Sequence, residues 1–217
     1  MKTIKNKKNT AHVIYKNSEG KRLPGVTTVV GLLDKPFLKA WANRIGLEGI
    51  DLNSYMDDLA NVGTLSHAMI QAHFTGNEVD TSEYSKNDID RAENAMISFI
   101  NWVQSMPIKP ILNEVELTNE EFGGTVDMLC EIDGRKVLVD FKTGSGIYDE
   151  VFYQLAGYKI LLESKGHKID QAMIVRVGRD EQEGFEVKSI TDLSKHEAIF
   201  KHLLAIYQLK KELKGSK

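Results

Sequence analysis

The sequence predicts an α/β fold: a central mixed β-sheet flanked by helices, in a single domain spanning residues 1–217. Three observations predict it. The apolar residues keep helical spacing up to about residue 106, then alternate as in strands, and return to helical spacing near residue 148. The dipeptide Asp133-Gly134 separates two apolar-rich runs, which is among the strongest short hairpin signals. Three consecutive strands, a crossover helix and two further strands then require a sheet of mixed direction covered by helices. The 217 residues, 41% hydrophobic and 27% charged, are enough to bury such a core without disulfides.

Taken in order, residues 1–9 are basic and have no apolar segment behind them. They are expected to be a loosely ordered terminus and not a secretory signal. Residues 10–16 read as a strand, with a turn at Asn17–Gly20. Leu23-Pro-Gly-Val-Thr-Thr28 leads into short helices through about Gly46, with Trp41 on the second. Leu52 to Phe74 has a helical pattern, in which Gly63 is a candidate break. Asn87–Met106 is a helix with Ala92, Ala95, Met96, Phe99, Ile100 and Val103 on one face. Strands follow at about 110–118, 122–132 and 135–142, inside a sheet-rich region of 108–190. Tyr148–Glu163 returns to helix, 170–178 and 184–190 form a strand pair, and a lysine-rich helix runs from about Leu193 to Leu213.

Composition removes several function classes. The one cysteine, Cys130, excludes an intramolecular disulfide and a four-cysteine zinc or iron–sulfur site. No apolar run reaches the roughly 18 residues of a membrane span. A net charge of −3 argues against coating nucleic acid by bulk electrostatics, yet leaves room for an enzyme with a local basic groove.

The hairpin carries the chemistry. With Asp133 and Gly134 as its turn, paired residue numbers add to 267, so Asp127 is expected opposite Asp140 with Cβ atoms roughly 4.5–5.5 Å apart. Like charges facing each other destabilise a sheet, and a divalent cation is the natural remedy. Alternation places Lys142 on the face of Asp140, with Thr125 and Asp127 opposite. Two carboxylates suit Mg²⁺ or Mn²⁺, which complete their shells with water and phosphate. Lys142 could orient or deprotonate the attacking water, or balance charge on the phosphate. The acidic-x-Lys triplet alone means little, because Glu19, Glu163, Glu186 and Glu212 each begin another one. Only Asp140-Phe-Lys142 has an opposed aspartate, a Gly-Gly before that strand and a Thr-Gly after the lysine.

Gly124-Thr-Val-Asp127, Val139-Asp140-Phe-Lys142-Thr-Gly and Gln154-x-x-x-Tyr158 resemble the PD-(D/E)XK nuclease superfamily, in its RecB-like exonuclease branch. Gly63-Thr-x-x-His67 fits that branch too. Leu23-Pro-Gly-Val-Thr-Thr-Val-Val followed by Lys39-Ala-Trp41 resembles the start of the mitochondrial genome maintenance exonucleases and their phage-type relatives. The matches span residues 23–158.

This resemblance implies a restriction-endonuclease-like core and hydrolysis of DNA from an end. Asp127 and Asp140 would hold the metal with the Phe141 carbonyl, His67 would add a ligand, and Lys142 would assist the water. Gln154 and Tyr158, one helical turn apart, would adjoin the active site and the bound strand. Glu114 has both a metal-shell role and a structural one open to it. Thr28 is either part of a helix cap or a phosphate contact. No iron–sulfur cluster is expected. The implied partner is single-stranded DNA or a duplex end, with a recombination or replication protein of unknown identity. The implied setting is the cytoplasm of a bacterial or phage-infected cell. A structure-specific endonuclease of the same superfamily and a non-catalytic DNA-end-binding recombination module are the alternatives.

Overall fold

A computed structural model describes residues 3–4 and 13–215. The chain forms one five-stranded mixed sheet with helices packed on both faces. Strands β1 (Thr3–Ile4) and β2 (Glu78–Val79) make a separate two-residue parallel pair. The expected loose terminus is therefore described only at Thr3–Ile4, and its other residues lie outside the described ones. Of the strand expected at 10–16, residues 13–16 contribute a single bridge between Lys16 and Arg22, and residues 10–12 are not described.

The helices before the sheet are α1 (Val26–Val30), α2 (Pro36–Leu47), α3 (Leu52–Thr75) and α4 (Lys86–Gln104). Asp51 caps α3 by accepting from Ser54 N, and Gly76 ends it in the left-handed conformation. Gly63 does not break this helix. A Cβ there would lie 3.1 Å from Thr143 Oγ1, so the bare backbone lets α3 approach the sheet closely. That packing offsets a helix penalty of about 1 kcal/mol. Ser85 and Asp88 close a reciprocal capping box at the start of α4.

The sheet is built from β3 (Lys109–Thr118), β4 (Gly123–Ile132), β5 (Arg135–Thr143), β6 (Gln171–Val177) and β7 (Phe185–Ile190), in that spatial order. The first three form an antiparallel meander. Helix α5 (Asp149–Ser164) carries the chain over to β6, which runs parallel to β5, and β7 returns antiparallel. Asp133 and Gly134 both have positive φ, 49° and 77°, as the two-residue turn demands. The β4–β5 register then sums to 267 from Ile132–Arg135 to Met128–Val139.

Alternation along β5 separates two cores. Val137, Val139 and Phe141 face Phe99 and Trp102 of α4, whereas Leu138 joins the core of α1, α5 and the last helix, α6 (Ser194–Gly215). Along β4 the alternation slips near Asp127: Val126 packs with the α5 core, but Met128 packs with the α4 core. The site lies at this irregularity.

Candidate active site

The ladder between β4 and β5 stops one pair before the two aspartates. Asp127 and Asp140 are therefore not a registered cross-strand pair, which corrects the expectation drawn from the hairpin. Where the strands part, Asp127 Oδ2 accepts a hydrogen bond from Phe141 N at 2.8 Å, replacing a ladder bond with a side-chain one. The neighbouring strand opens at the same level. The β3–β4 register includes Asn113–Met128 and Val115–Val126 but skips Glu114, whose φ is 49°. A non-glycine residue in that region carries strain of order 1–3 kcal/mol, and such strain concentrates at functional sites.

Three side chains converge at this opening. His67 of α3, Glu114 of β3 and Asp127 of β4 each offer a ligand atom, all within 4.8 Å of one another. His67 Nδ1 lies 3.6 Å from Glu114 Oε1 and 3.7 Å from Asp127 Oδ2. Octahedral ligands at about 2.1 Å from an ion stand about 3.0 Å apart when adjacent and about 4.2 Å when opposite. The spacings of 3.6 and 3.7 Å fall between these values, so small side-chain shifts would let two carboxylates and an imidazole share one divalent ion. Asp140 stands apart from the three, with its side chain 2% exposed and Lys142 Nζ 2.6 Å from its Oδ2.

The charges are strongly interdependent. Burial favours neutral His67, but the Asp127 and Glu114 carboxylates outweigh it and push its pKa up to about 9. Burial raises Asp140 to about 6, with the Asp127 charge adding and the Lys142 ammonium opposing. Asp127 is raised by burial and the Glu114 charge, against the pull of His67 and Lys142. For Lys142, burial works against the ammonium, but Asp140 and Asp127 prevail and raise its pKa, so it stays charged. Without metal, His67 and Lys142 thus act as counter-ions to three carboxylates.

These groups border a cleft of about 750 Å³. Tyr158 of α5 reaches its wall, buried, with a pKa driven well above 10 by burial and then by the Asp140 and Asp127 charges. Its ring fits because Gly124 faces it: a Cβ there would lie 2.7 Å from Tyr158 Cε1. Gln154 does not border the cleft; it lies one turn earlier on α5, with Oε1 buried and without a hydrogen-bond partner among the described residues. Thr28 is also absent from the cleft. It sits exposed inside the five-residue α1 and opens instead onto a separate small pocket with Thr27 and Tyr207, while Thr27 reaches both. The cap of α1 is Gly25, which has no side chain to offer, so Thr28 does not cap that helix.

One cleft residue was not legible from motifs, whereas the strand alternation that points Glu114 toward the site also points Glu116 there. Tyr15 donates to or accepts from Thr125 Oγ1 at 2.9 Å and lines the opening, packed where a Cβ on Gly123 would collide with it. The Gly-Gly before the strand was the available signal for such a close neighbour. Glu116 alternates with Glu114 along β3 and also lines the cleft.

No family model matches the sequence, and no curated protein matches it. Among solved structures, the chain is similar to a protein from Eubacterium rectale provisionally assigned as an exonuclease, at 13% identity and a TM-score of 0.45. The match covers 69% of this chain and 65% of that one, so the chain spans less than two thirds of its length. It is also similar to LHK-Exo, the alkaline exonuclease of Laribacter hongkongensis, in complex with dAMP: 14% identity, TM-score 0.42, covering 72% of this chain and 86% of that one. A phage-related exonuclease from Haemophilus somnus matches at 19% identity and a TM-score of 0.36, over 69% of this chain and 84% of the other. These likenesses are too remote to assign an activity, which has to be read from the chain's own side chains. Among the described residues, no helix is long and apolar enough to cross a membrane.

Proposed function

We propose that this chain is a single-domain Mg²⁺- or Mn²⁺-dependent DNA nuclease of the PD-(D/E)XK superfamily, RecB-like branch, acting as an exonuclease on a DNA end. One observation carries the reading: His67, Glu114 and Asp127 converge within ligand spacing beside the buried Asp140 and its partner Lys142, at the edge of an open cleft. A divalent ion bound there would supply an acidified water and a clamp on the phosphate oxygens. His67, Glu114 and Asp127 would hold it, with Asp140 the fourth candidate ligand.

The protein's own groups have separable tasks. Lys142, kept as an ammonium by Asp140, suits orienting the attacking water and balancing charge on the phosphate; it does not suit a base that removes a proton. The neutral Tyr158 hydroxyl is a donor facing the strand. The Oε1 of Gln154, one turn before Tyr158 and outside the cleft, is buried and meets no donor among the described residues, which costs about 1–3 kcal/mol.

The test incubates the purified protein with end-labelled single- and double-stranded DNA in Mg²⁺, Mn²⁺ or EDTA, beside a covalently closed circle. Metal-dependent release of label from linear DNA, with the circle intact, is expected. Degradation that survives EDTA, or that continues unchanged in Lys142→Ala, would overturn the mechanism; cutting of the circle would replace exonuclease with endonuclease.

A further inference from the structure

A second groove of about 610 Å³ begins on the other side of Lys142 and Thr143. Helix α3 forms a wall of both: His67 faces the metal cleft, and Tyr55 and Leu59 face the groove. Gly63 touches Thr143 between the two, where any side chain would crowd the divide. The groove differs from the cleft in chemistry. Its lining holds Arg44, Lys142 and Arg179 against one carboxylate, Glu183, which is itself bonded to Arg179. Arg44 has no ion pair among the described residues.

Aromatic rings supply the rest of the lining. Phe37 of α2 and Tyr148 before α5 stack with centroids 5.2 Å apart and planes 15° apart. Trp41 and Tyr55 meet at 5.9 Å in a tilted pair. Phe37 and Tyr148 remain 45% and 46% exposed, and Leu38 beside them 42%. Rings that stack on each other yet leave their outer faces in water, among cations, are poorly explained by core packing. They match the way proteins hold unpaired bases while arginines track the phosphates.

We propose that this groove is a stacking track for single-stranded DNA, in which the Phe37–Tyr148 and Trp41–Tyr55 pairs hold unpaired bases of the strand being cut. The assignment rests on the nuclease reading of the adjacent cleft. From His67 to Tyr55 the helix spans about 18 Å. At about 3.4 Å per stacked nucleotide, the Trp41–Tyr55 pair lies on the order of five nucleotides from the metal ligands. A base-paired end would have to open to fill it.

The experiment uses the full chain in EDTA, where binding is read without cleavage. Anisotropy compares a dT oligomer of about twelve nucleotides, an abasic strand of equal charge and a blunt duplex, at one fixed salt concentration. The dT strand is expected to bind about tenfold or more tightly than the abasic strand, and to quench Trp41 where the abasic strand does not. Phe37→Ala with Tyr148→Ala should lose about tenfold in dT affinity and none in duplex affinity. That variant should also keep Mn²⁺-dependent hydrolysis of bis(p-nitrophenyl) phosphate, which is too short to reach the groove. Equal binding of dT and abasic strands, or unchanged dT affinity in the double variant, would overturn the track. If the variant does not fold, quenching in the native protein decides, because Trp102, the other tryptophan, is buried. Absence of hydrolysis on every substrate would instead sink the nuclease reading while the EDTA comparison still reports on the groove.

Discussion

Metal binding should expel a proton from His67, and this sets a measurable pH dependence. An imidazole must be neutral to act as a ligand, whereas Asp127 and Glu114 hold this one protonated up to about pH 9. At pH 7 only about 1% of the metal-free protein has a neutral His67, so the apparent affinity for Mn²⁺ is reduced about 100-fold relative to the intrinsic value. The dissociation constant should fall about tenfold per pH unit between about pH 7 and pH 9 and then level off. Isothermal titration at pH 7.5 in two buffers of different ionisation enthalpy counts the protons released, and close to one per ion is expected. His67→Gln should release none and flatten the profile. The same proton stabilises the metal-free fold. Because the folded pKa lies above the unfolded value of about 6.5, this contribution is complete below that pH and is lost as pH rises through about 9, roughly 3 kcal/mol at most. A pH-independent dissociation constant in the native protein, with no proton release, would refute the placement of His67 in the metal shell.

Three further outcomes follow from the same geometry. Asp127→Asn keeps an acceptor for Phe141 N and should fold, but should lose the metal-induced rise in melting temperature; the native protein should gain about 2.7 kcal/mol at a hundred times its dissociation constant. Gly124→Ala should drive Tyr158 out of place and destabilise the protein by about 1–3 kcal/mol in urea titration, because its Cβ would meet Tyr158 at 2.7 Å and Val26 at 3.1 Å. Arg176→Lys should free the segment after Lys142: Arg176 Nη1 donates to Gly144 O at 3.0 Å and to Glu183 O, a fork that lysine lacks. Faster amide exchange over Gly144–Ile147 and a loss of about 1–3 kcal/mol are expected, and unchanged exchange would show that the segment is held otherwise.

The order and the bounds of most elements were readable because each rests on local signals. The Asp133-Gly134 turn has positive φ at both residues, and the register it sets survives for five pairs. The Glu186-Val-Lys188 triplet lies away from the cleft, where Glu186 pairs with Lys188 and with the buried Arg176. Reading failed where tertiary contacts overrule local pattern. Gly63 looks like a break, but its neighbour across the gap is Thr143, 80 positions away in sequence. The facing aspartates were extrapolated from an ideal ladder, and nothing local announces that Glu114 twists out of β3 or that Asp127 bonds to Phe141 N. Tyr15 meets the site through its hydrogen bond to Thr125 of β4, 110 positions away in sequence, so no spacing rule could place it there.

The twist at Glu114 also implies a trade between durability and chemistry. A side chain with φ of 49° is held there against its own preference, so residues that accept this conformation should relieve the chain while removing a proposed metal ligand. Glu114→Gly or Glu114→Asn in metal-free buffer above about pH 9, where the His67 proton that Glu114 helps to hold is already lost, is therefore expected to melt no lower than the native protein. In a selection for thermal stability alone, this is the position from which the site would first be eroded.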